Sequence, residues 1–317
     1  MGDIQEARFA RQAVRAARLP VCAWLLLALT LAAAGCSTAP EKEIAVTPPP
    51  VPTEELLSAA ETDIDARRFQ LAYERLSRLD QAALETPRGK FVAAEVLLGL
   101  SNPKEALTRF QDLQTDATYG PRAYQGMGLS LAALGDYTTA KLQLERAVAA
   151  DPTLWRSWMA LGRVHDSTKS WTEAQAAYDK ALALQPNSPL VMNNVGMSLM
   201  MQHRYAEAAD TFQRVLAADP TMDMTRSNLR IALAWQGKYD EALVGTLAGT
   251  QADALNNVGY VALLRGDQQA AQKYFAQAME ASPTYHQRAA RNLETLKLLA
   301  KARAAGNEVP TLTPPAQ

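Results

Sequence analysis

The sequence predicts an all-α solenoid of stacked helix pairs, and three observations carry that prediction. Six alanines, Ala72, Ala106, Ala140, Ala174, Ala208 and Ala242, stand 34 residues apart, and a seventh, Ala271, follows 29 residues later. A fixed period of that size marks repeats that each contribute one supersecondary unit. Small, large and helix-stopping residues keep the same register: Gly128, Gly162, Gly196 and Gly259 precede a ladder alanine, Tyr178, Phe212 and Phe275 follow one, and Pro152, Pro186, Pro220 and Pro283 come later still. Gly135, Gly237 and Gly266 fall between the two helices of a unit, followed by Asp-Tyr, Lys-Tyr and Asp-Gln, a stop-and-restart signal.

Each offset has a physical reason. The glycine of the first helix and the alanine of the second belong where helices cross closely and only a small side chain fits. The aromatic one turn beyond the alanine lies on the same face and fills the space beside it. Proline ends the second helix, because it lacks the N–H and clashes backwards.

From the N-terminus, Arg8, Arg11, Arg15 and Arg18 precede an apolar run from Val21 to Ala34. This is the charged and hydrophobic order of a secretory signal, and the run is short for a membrane span. It ends in Leu31-Ala-Ala-Ala-Gly35-Cys36, which resembles a bacterial lipobox. That resemblance implies removal of residues 1–35 and lipid on Cys36. A plainly cleaved signal and an uncleaved anchor are the alternatives. The chain has two cysteines, and Cys22 would leave with the signal. The mature chain then has no internal disulfide and one cysteine for which lipidation supplies a use. Ser37 in the next position implies, by the same resemblance, the outer membrane, with the protein facing the periplasm. Residues 36–52 hold the lipidated Cys36 and a stretch rich in proline, read as an extended tether.

The repeats follow as 53–86, 87–120, 121–154, 155–188, 189–222, a truncated 223–251, and 252–285. The first two keep Ala72 and Ala106, with Leu76, Leu79, Phe110 and Leu113 inward, but lack the glycine and proline marks; terminal repeats are often atypical. After Ala242 the sixth unit has two glycines and no aromatic, so its second helix is expected to be short or distorted. Residues 286–305 read as an amphipathic capping helix with Ala289, Leu293, Leu296 and Leu299 inward. The tail 306–317, rich in proline, reads as disordered.

The repeat pattern resembles the tetratricopeptide repeat (TPR). The resemblance implies a right-handed superhelical solenoid of about seven helix-turn-helix repeats with a C-terminal capping helix. It also implies that the first helices line a concave groove. Carried onto this chain, groove positions fall on Met159, Asn193, Met197, Met200, Met201, Trp235, Asn256 and Tyr260. Methionines adapt to irregular partners, and such a groove suits an amphipathic helix or apolar strand. The competing reading is that several of these residues pack against the next helix. The carboxylate clamp of chaperone-binding TPR domains is not supported, because the fifth position of the clear repeats holds Gln125, Met159, Asn193, Ser227 and Asn256 and no lysine.

Composition narrows the function. The net charge is −1, and about −3 without the leader, so nothing suggests nucleic acid, which wants a basic face. His165, His203 and His286 fall at unrelated repeat positions. No His-Glu-x-x-His or Cys-x-x-Cys occurs, and Gly126-Met-Gly128 lies inside a helix. The expectation is therefore no enzyme, no metal, no cofactor and no small-molecule substrate. Leu255-Asn-Asn-Val-Gly-Tyr260, Gly266-Asp267 and Ala290-Arg-Asn-Leu293, together with the lipobox, are similar to the TadD lipoproteins of Flp (tight-adherence) pilus assembly. That resemblance implies a lipid-anchored adaptor whose protein partner is an outer-membrane secretin or another pilus assembly component. A scaffold for another envelope machine, such as type IV pilus assembly or outer-membrane protein insertion, and a non-catalytic regulator of a cell-wall hydrolase are the alternatives.

Overall fold

The computed structural model describes residues 52–281 and 287–305. The signal at 1–35, Cys36, the tether up to residue 51, Pro283 and the tail at 306–317 lie outside the described residues. Sixteen α-helices and no strand occur among the described residues, so the chain is the all-α stack that the period predicts.

The first repeat is α1 (Thr53–Asp65) and α2 (Phe69–Leu76), followed by a short α3 (Gln81–Glu85); the second is α4 (Pro87–Gly99) and α5 (Pro103–Gln111). Three repeats of near-uniform length come next: α6 (Gly120–Ala133) and α7 (Tyr137–Ala150), α8 (Trp155–Ser167) and α9 (Trp171–Leu184), α10 (Pro189–Met201) and α11 (Tyr205–Ala218). The sixth has α12 (Asp223–Trp235), α13 (Tyr239–Ala242) and a 3-10 turn over Ala248–Thr250. The last pair is α14 (Gln251–Leu264) and α15 (Gln268–Glu280), and α16 (Gln287–Ala304) follows.

All seven ladder alanines are at most 1% exposed, and the glycines explain why the aromatics follow. A Cβ on Gly162 would lie 2.5 Å from the Tyr178 ring, on Gly196 2.4 Å from Phe212, and on Gly259 2.8 Å from Phe275. Each ring thus occupies the volume that the glycine of its own repeat leaves open. Gly126 does the same for Phe110 of the preceding repeat, where a Cβ would lie 2.4 Å away.

A second ladder runs through the turns. Arg67, Ser101, Gly135, Lys169, His203, Gly237 and Gly266 all have φ between 58° and 83°, and they recur with the spacing of the alanines. In each case the next residue donates its backbone N–H to the carbonyl five residues back, as in Arg68 to Asp63, Ser170 to His165 and Asp267 to Ala262, at 2.7–2.9 Å. This left-handed stop satisfies carbonyls that the ended helix leaves open. Only three of the seven are glycine, so the sequence shows the turn in only three places. Asp136 and Asp267 then cap the second helix, their carboxylates accepting from the Thr139 and Ala270 amides at 3.0 Å.

The second helices of the first two repeats have 8 and 9 residues, against 14 in α7, α9 and α11. The extra α3 fills the joint between them. Asp80 caps it by accepting from Ala83 N at 2.8 Å, and Thr86-Pro87 ends it while Thr86 caps α4 through Gly89 N at 3.1 Å. Nothing in the repeat register announces this element. The first joint is further tied by Arg88 of α4, which pairs with Glu61 of α1 at 2.7 Å and also with Glu54.

In the sixth repeat the second helix stops after four residues. Leu243 is followed by Gly245 at φ 69°, and the chain reaches α14 through the 3-10 turn. Helix α16 docks on α14 and α15, with Leu296 in one core cluster with Ala262, Leu263, Ala271 and Phe275.

Candidate functional site: the inner face and the truncated repeat

The first helices share a face. Arg156 of α8 lies 3.9 Å from Asp65 of α1, although the two are separated by the whole of two intervening repeats. Only a surface that curves back on itself brings them together. Between them stands Glu95 of α4, whose carboxyl burial pushes up while Arg156 and Arg122 pull it down. Arg122 of α6 lies over the Phe91 ring at 4.2 Å, and Arg156 over Trp155 at 5.4 Å. The N-terminal part of the inner face is therefore charged and internally paired. Sequence reading missed this pairing, because it depends on curvature.

Further along, neighbouring first helices are stitched by polar side chains. Ser157 of α8 donates to Gln125 Oε1 of α6 at 3.0 Å. Ser198 of α10 donates to Asp166 Oδ1 of α8 at 2.6 Å, and the Tyr178 hydroxyl donates to Asp166 Oδ2 at 2.7 Å. Asp166 is only 5% exposed, and burial raises its carboxyl pKa, partly offset by those two hydrogen bonds. Thr225 and Asn228 of α12 donate to Asn193 Oδ1 of α10 at 2.9 and 3.2 Å. Asn292 of α16 donates to Asn256 Oδ1 of α14 at 3.0 Å. By this last bond α16 takes the place a further repeat's first helix would take.

These bonds decide where the expected groove residues sit. Met159 and Asn256 are buried, at 9% and 4% exposure; Met159 packs with Val191 of α10 and Asn256 meets Asn292 of α16, so neither faces a partner. Asn193 is half-buried and accepts two hydrogen bonds within the stack. Met197 and Met200 are half-buried and pack on the core cluster that includes Leu199 and Leu233. Met201 is the exposed member, at 43%. Trp235 stacks on Tyr205 with ring centroids 5.2 Å apart and planes 7° from parallel; the Tyr205 hydroxyl meets His203 Nδ1 at 2.6 Å. Arg265 donates to the Trp235 carbonyl and to the Tyr239 hydroxyl. Trp235 therefore belongs to a cluster along the turns between helices. Tyr260 is half-buried beside the core cluster of the last repeat. The surface left to a partner centres on Met201, with the edges of Met197, Met200 and Tyr260.

A cleft of about 290 Å³ lies between α12 and α14. Arg226, Arg230 and Ile231 line one wall, Asn257 and Val258 the other, and Leu247 of the linker the rim. It opens where the sixth repeat lacks most of a second helix. Leu247, Val244 and Met224 nearby are 70%, 78% and 76% exposed.

Among the described residues no group of three or more His, Cys, Asp or Glu side chains is placed to hold a metal ion. No described helix is long and apolar enough to cross a membrane.

Family models described as tetratricopeptide repeat match residues 126–189 and 170–223, and again residues 252–285. Residues 126–223 and 252–285 are tetratricopeptide repeats. A TPR protein of Thermus thermophilus, TTC0263, is similar at 19% identity over 57% of this chain and 99% of its own, with a TM-score of 0.52. The Cut9–Hcn1 hetero-tetramer of the APC/C is similar at 18% identity and a TM-score of 0.59, covering 78% of this chain and 50% of the matched one. At such identities the likeness concerns the TPR fold. No curated protein sequence matches the chain.

Proposed function

We propose that this protein is a non-catalytic adaptor, anchored by lipid on Cys36 to the outer membrane and facing the periplasm, that holds a segment of another protein on the inner face of its TPR stack. The carrying observation is the exposed methionine edge at Met201, flanked by Met197 and Met200, on a face shared by successive first helices. A soft apolar edge on a rigid stack suits an amphipathic helix or an extended apolar segment. TPR stacks are generally protein-interaction scaffolds without catalysis of their own, which supports the reading. The similarity of the last repeat and the lipobox to TadD lipoproteins favours a secretin or another Flp pilus component as partner. In that role the adaptor shields a secretin segment and brings it to the bilayer.

The test is affinity capture from solubilised envelope with the parent chain and with Met201→Lys. Recovery of a secretin or pilus component that the lysine abolishes supports the proposal. Recovery of the same protein by both chains removes the inner face from the account.

A further inference from the structure

The inner face changes character between the fourth and fifth repeats. Two rows of first-helix residues run along it at the 34-residue period. One reads Arg122, Arg156, Leu190 and Met224, the other Leu129, Arg163, Met197 and Ile231. Both rows are cationic at α8 and apolar in α10 and α12. The first row ends on Asp253 in the last repeat, so the apolar stretch is basic at its α8 end only.

The three arginines are not equivalent. Arg122 and Arg156 both face Glu95, Arg156 also reaches Asp65, and each lies over an aromatic ring. Arg163 is exposed, and among the described residues its side chain makes no hydrogen bond or ion pair. Asp166, three residues on, feels its charge. Asp166 is buried, however, and its two oxygens already accept from Ser198 and Tyr178. Arg163 therefore stands at the register of Met197, one first helix before the methionine edge, with its guanidinium open to an acceptor from outside. The acceptor that matches a guanidinium best is a carboxylate, which takes two parallel N–H donors.

Spacing decides the form of the segment that supplies it. Helices α8 and α10 pack directly, tied by Ser198 and Asp166 at 2.6 Å, and packed helices lie about 8–10 Å apart. In a helix laid along the stack, residues two turns apart share a face and stand about 10.5 Å from each other. In a strand, residues on one face stand about 7 or 13 Å apart, and neither distance matches. We propose that the inner face of the fourth to sixth repeats binds an amphipathic helix, its apolar stripe on Met197, Met201 and Met224, and a carboxylate of the same stripe on Arg163. The proposal rests on the inner face being the partner surface and adds the form and charge pattern of the segment it selects. Met201 and Met224, at 43% and 76% exposure, are the open ends of the apolar stretch.

The experiment is fluorescence polarisation with the full chain in mild detergent. The probes are labelled, end-blocked, alanine-rich peptides of about twenty residues, long enough to be helical. Each carries a glutamate with leucines seven, eleven and fourteen residues beyond it, on one face, and is made in both chain directions. Replacing the glutamate by glutamine is expected to weaken binding about two- to five-fold at low salt, the worth of one exposed ion pair. That difference should vanish at about 1 M salt. Moving the glutamate by two residues, onto the far face, should cost as much as removing it. Arg163→Gln should erase the difference between the glutamate and glutamine peptides, and Arg163→Lys should keep most of it, a rescue that a merely structural role would not show. Equal binding of the two peptides to the parent chain overturns the proposal without using any variant. So does binding that ignores the displaced glutamate, or that Met201→Lys leaves unchanged. If no peptide binds while Met201-dependent capture persists, the helix proposal falls and the adaptor reading stands.

Discussion

Gly196→Ala is the smallest change that tests how the repeats are packed. The new Cβ would sit 2.4 Å from Phe212 Cε1 and 2.8 Å from two other ring atoms. Ordinary carbon–carbon contact begins near 3.5 Å, so the ring must retreat by about 1 Å. Phe212 is 0% exposed and shares its cluster with Ala208, Ala209 and Ala232, also buried, which leaves it little room. Overpacking of this kind costs about 1–3 kcal/mol, offset by about 1 kcal/mol of helix propensity gained by alanine over glycine. The expected net effect is a loss of up to about 2 kcal/mol, read in urea melts followed by circular dichroism. Gly249→Ala is the control, since a Cβ there meets nothing within 4 Å, and it should leave the midpoint nearly unchanged. Adding Phe212→Leu to Gly196→Ala should cost less than the sum of the two single changes, because the smaller side chain vacates the contested volume. A Gly196→Ala protein more stable than its parent, or strict additivity with Phe212→Leu, would refute this packing.

Further outcomes follow from the geometry and from the sequence. Lys169→Gly should stabilise by about 1 kcal/mol, because Lys169 is exposed at φ 58° in a turn that four side-chain residues occupy against their preference; a loss of stability would mean that the side chain matters there. Asp166→Ala should cost about 2–3 kcal/mol by stranding the Tyr178 and Ser198 hydroxyls, whereas Asp166→Asn keeps an acceptor and should cost less. Because burial raises the Asp166 pKa in the folded state, folding takes up a proton between the unfolded and folded values, so the penalty of its charge is full above the folded pKa and relieved as pH falls through it. The stability difference between Asp166→Asn and its parent should therefore shift in the parent's favour on acidification from neutral pH, and a difference independent of pH would contradict the sign. Cys36→Ser should release the chain from membranes or leave it unprocessed; a processed variant that still sediments with membranes after high-salt washing would contradict the lipid anchor.

How far the sequence reaches depends on which contacts keep the period. The ladder alanines and the Gly–aromatic pairs recur with it, and the sequence shows them because each position tolerates only one size of side chain. The turns recur as regularly, but the left-handed residue is Arg67, Ser101, Lys169 or His203 in four of the seven, types that carry no turn signal. Groove positions were legible only as positions. Whether Asn256 meets a partner or Asn292 depends on the helix that caps the last repeat, and whether Trp235 lies open depends on Tyr205 in the preceding one. Arg156 and Asp65 share no period at all, and their approach is set by the curvature accumulated over the intervening repeats. The missing residues after Ala242 marked the truncated helix, but not that Arg230 would be left facing the space it vacates.

The central claim is that a partner lies on the inner face, and in-cell photo-crosslinking tests it most directly. A photoreactive residue placed at Met201, in otherwise unaltered cells of origin, is compared with one at Gln213, exposed on the second helix α11 of the same repeat. The account predicts a discrete crosslink to an envelope protein from position 201 and none from 213. Crosslinks from 213 with none from 201 would place the partner on the outer surface and contradict it.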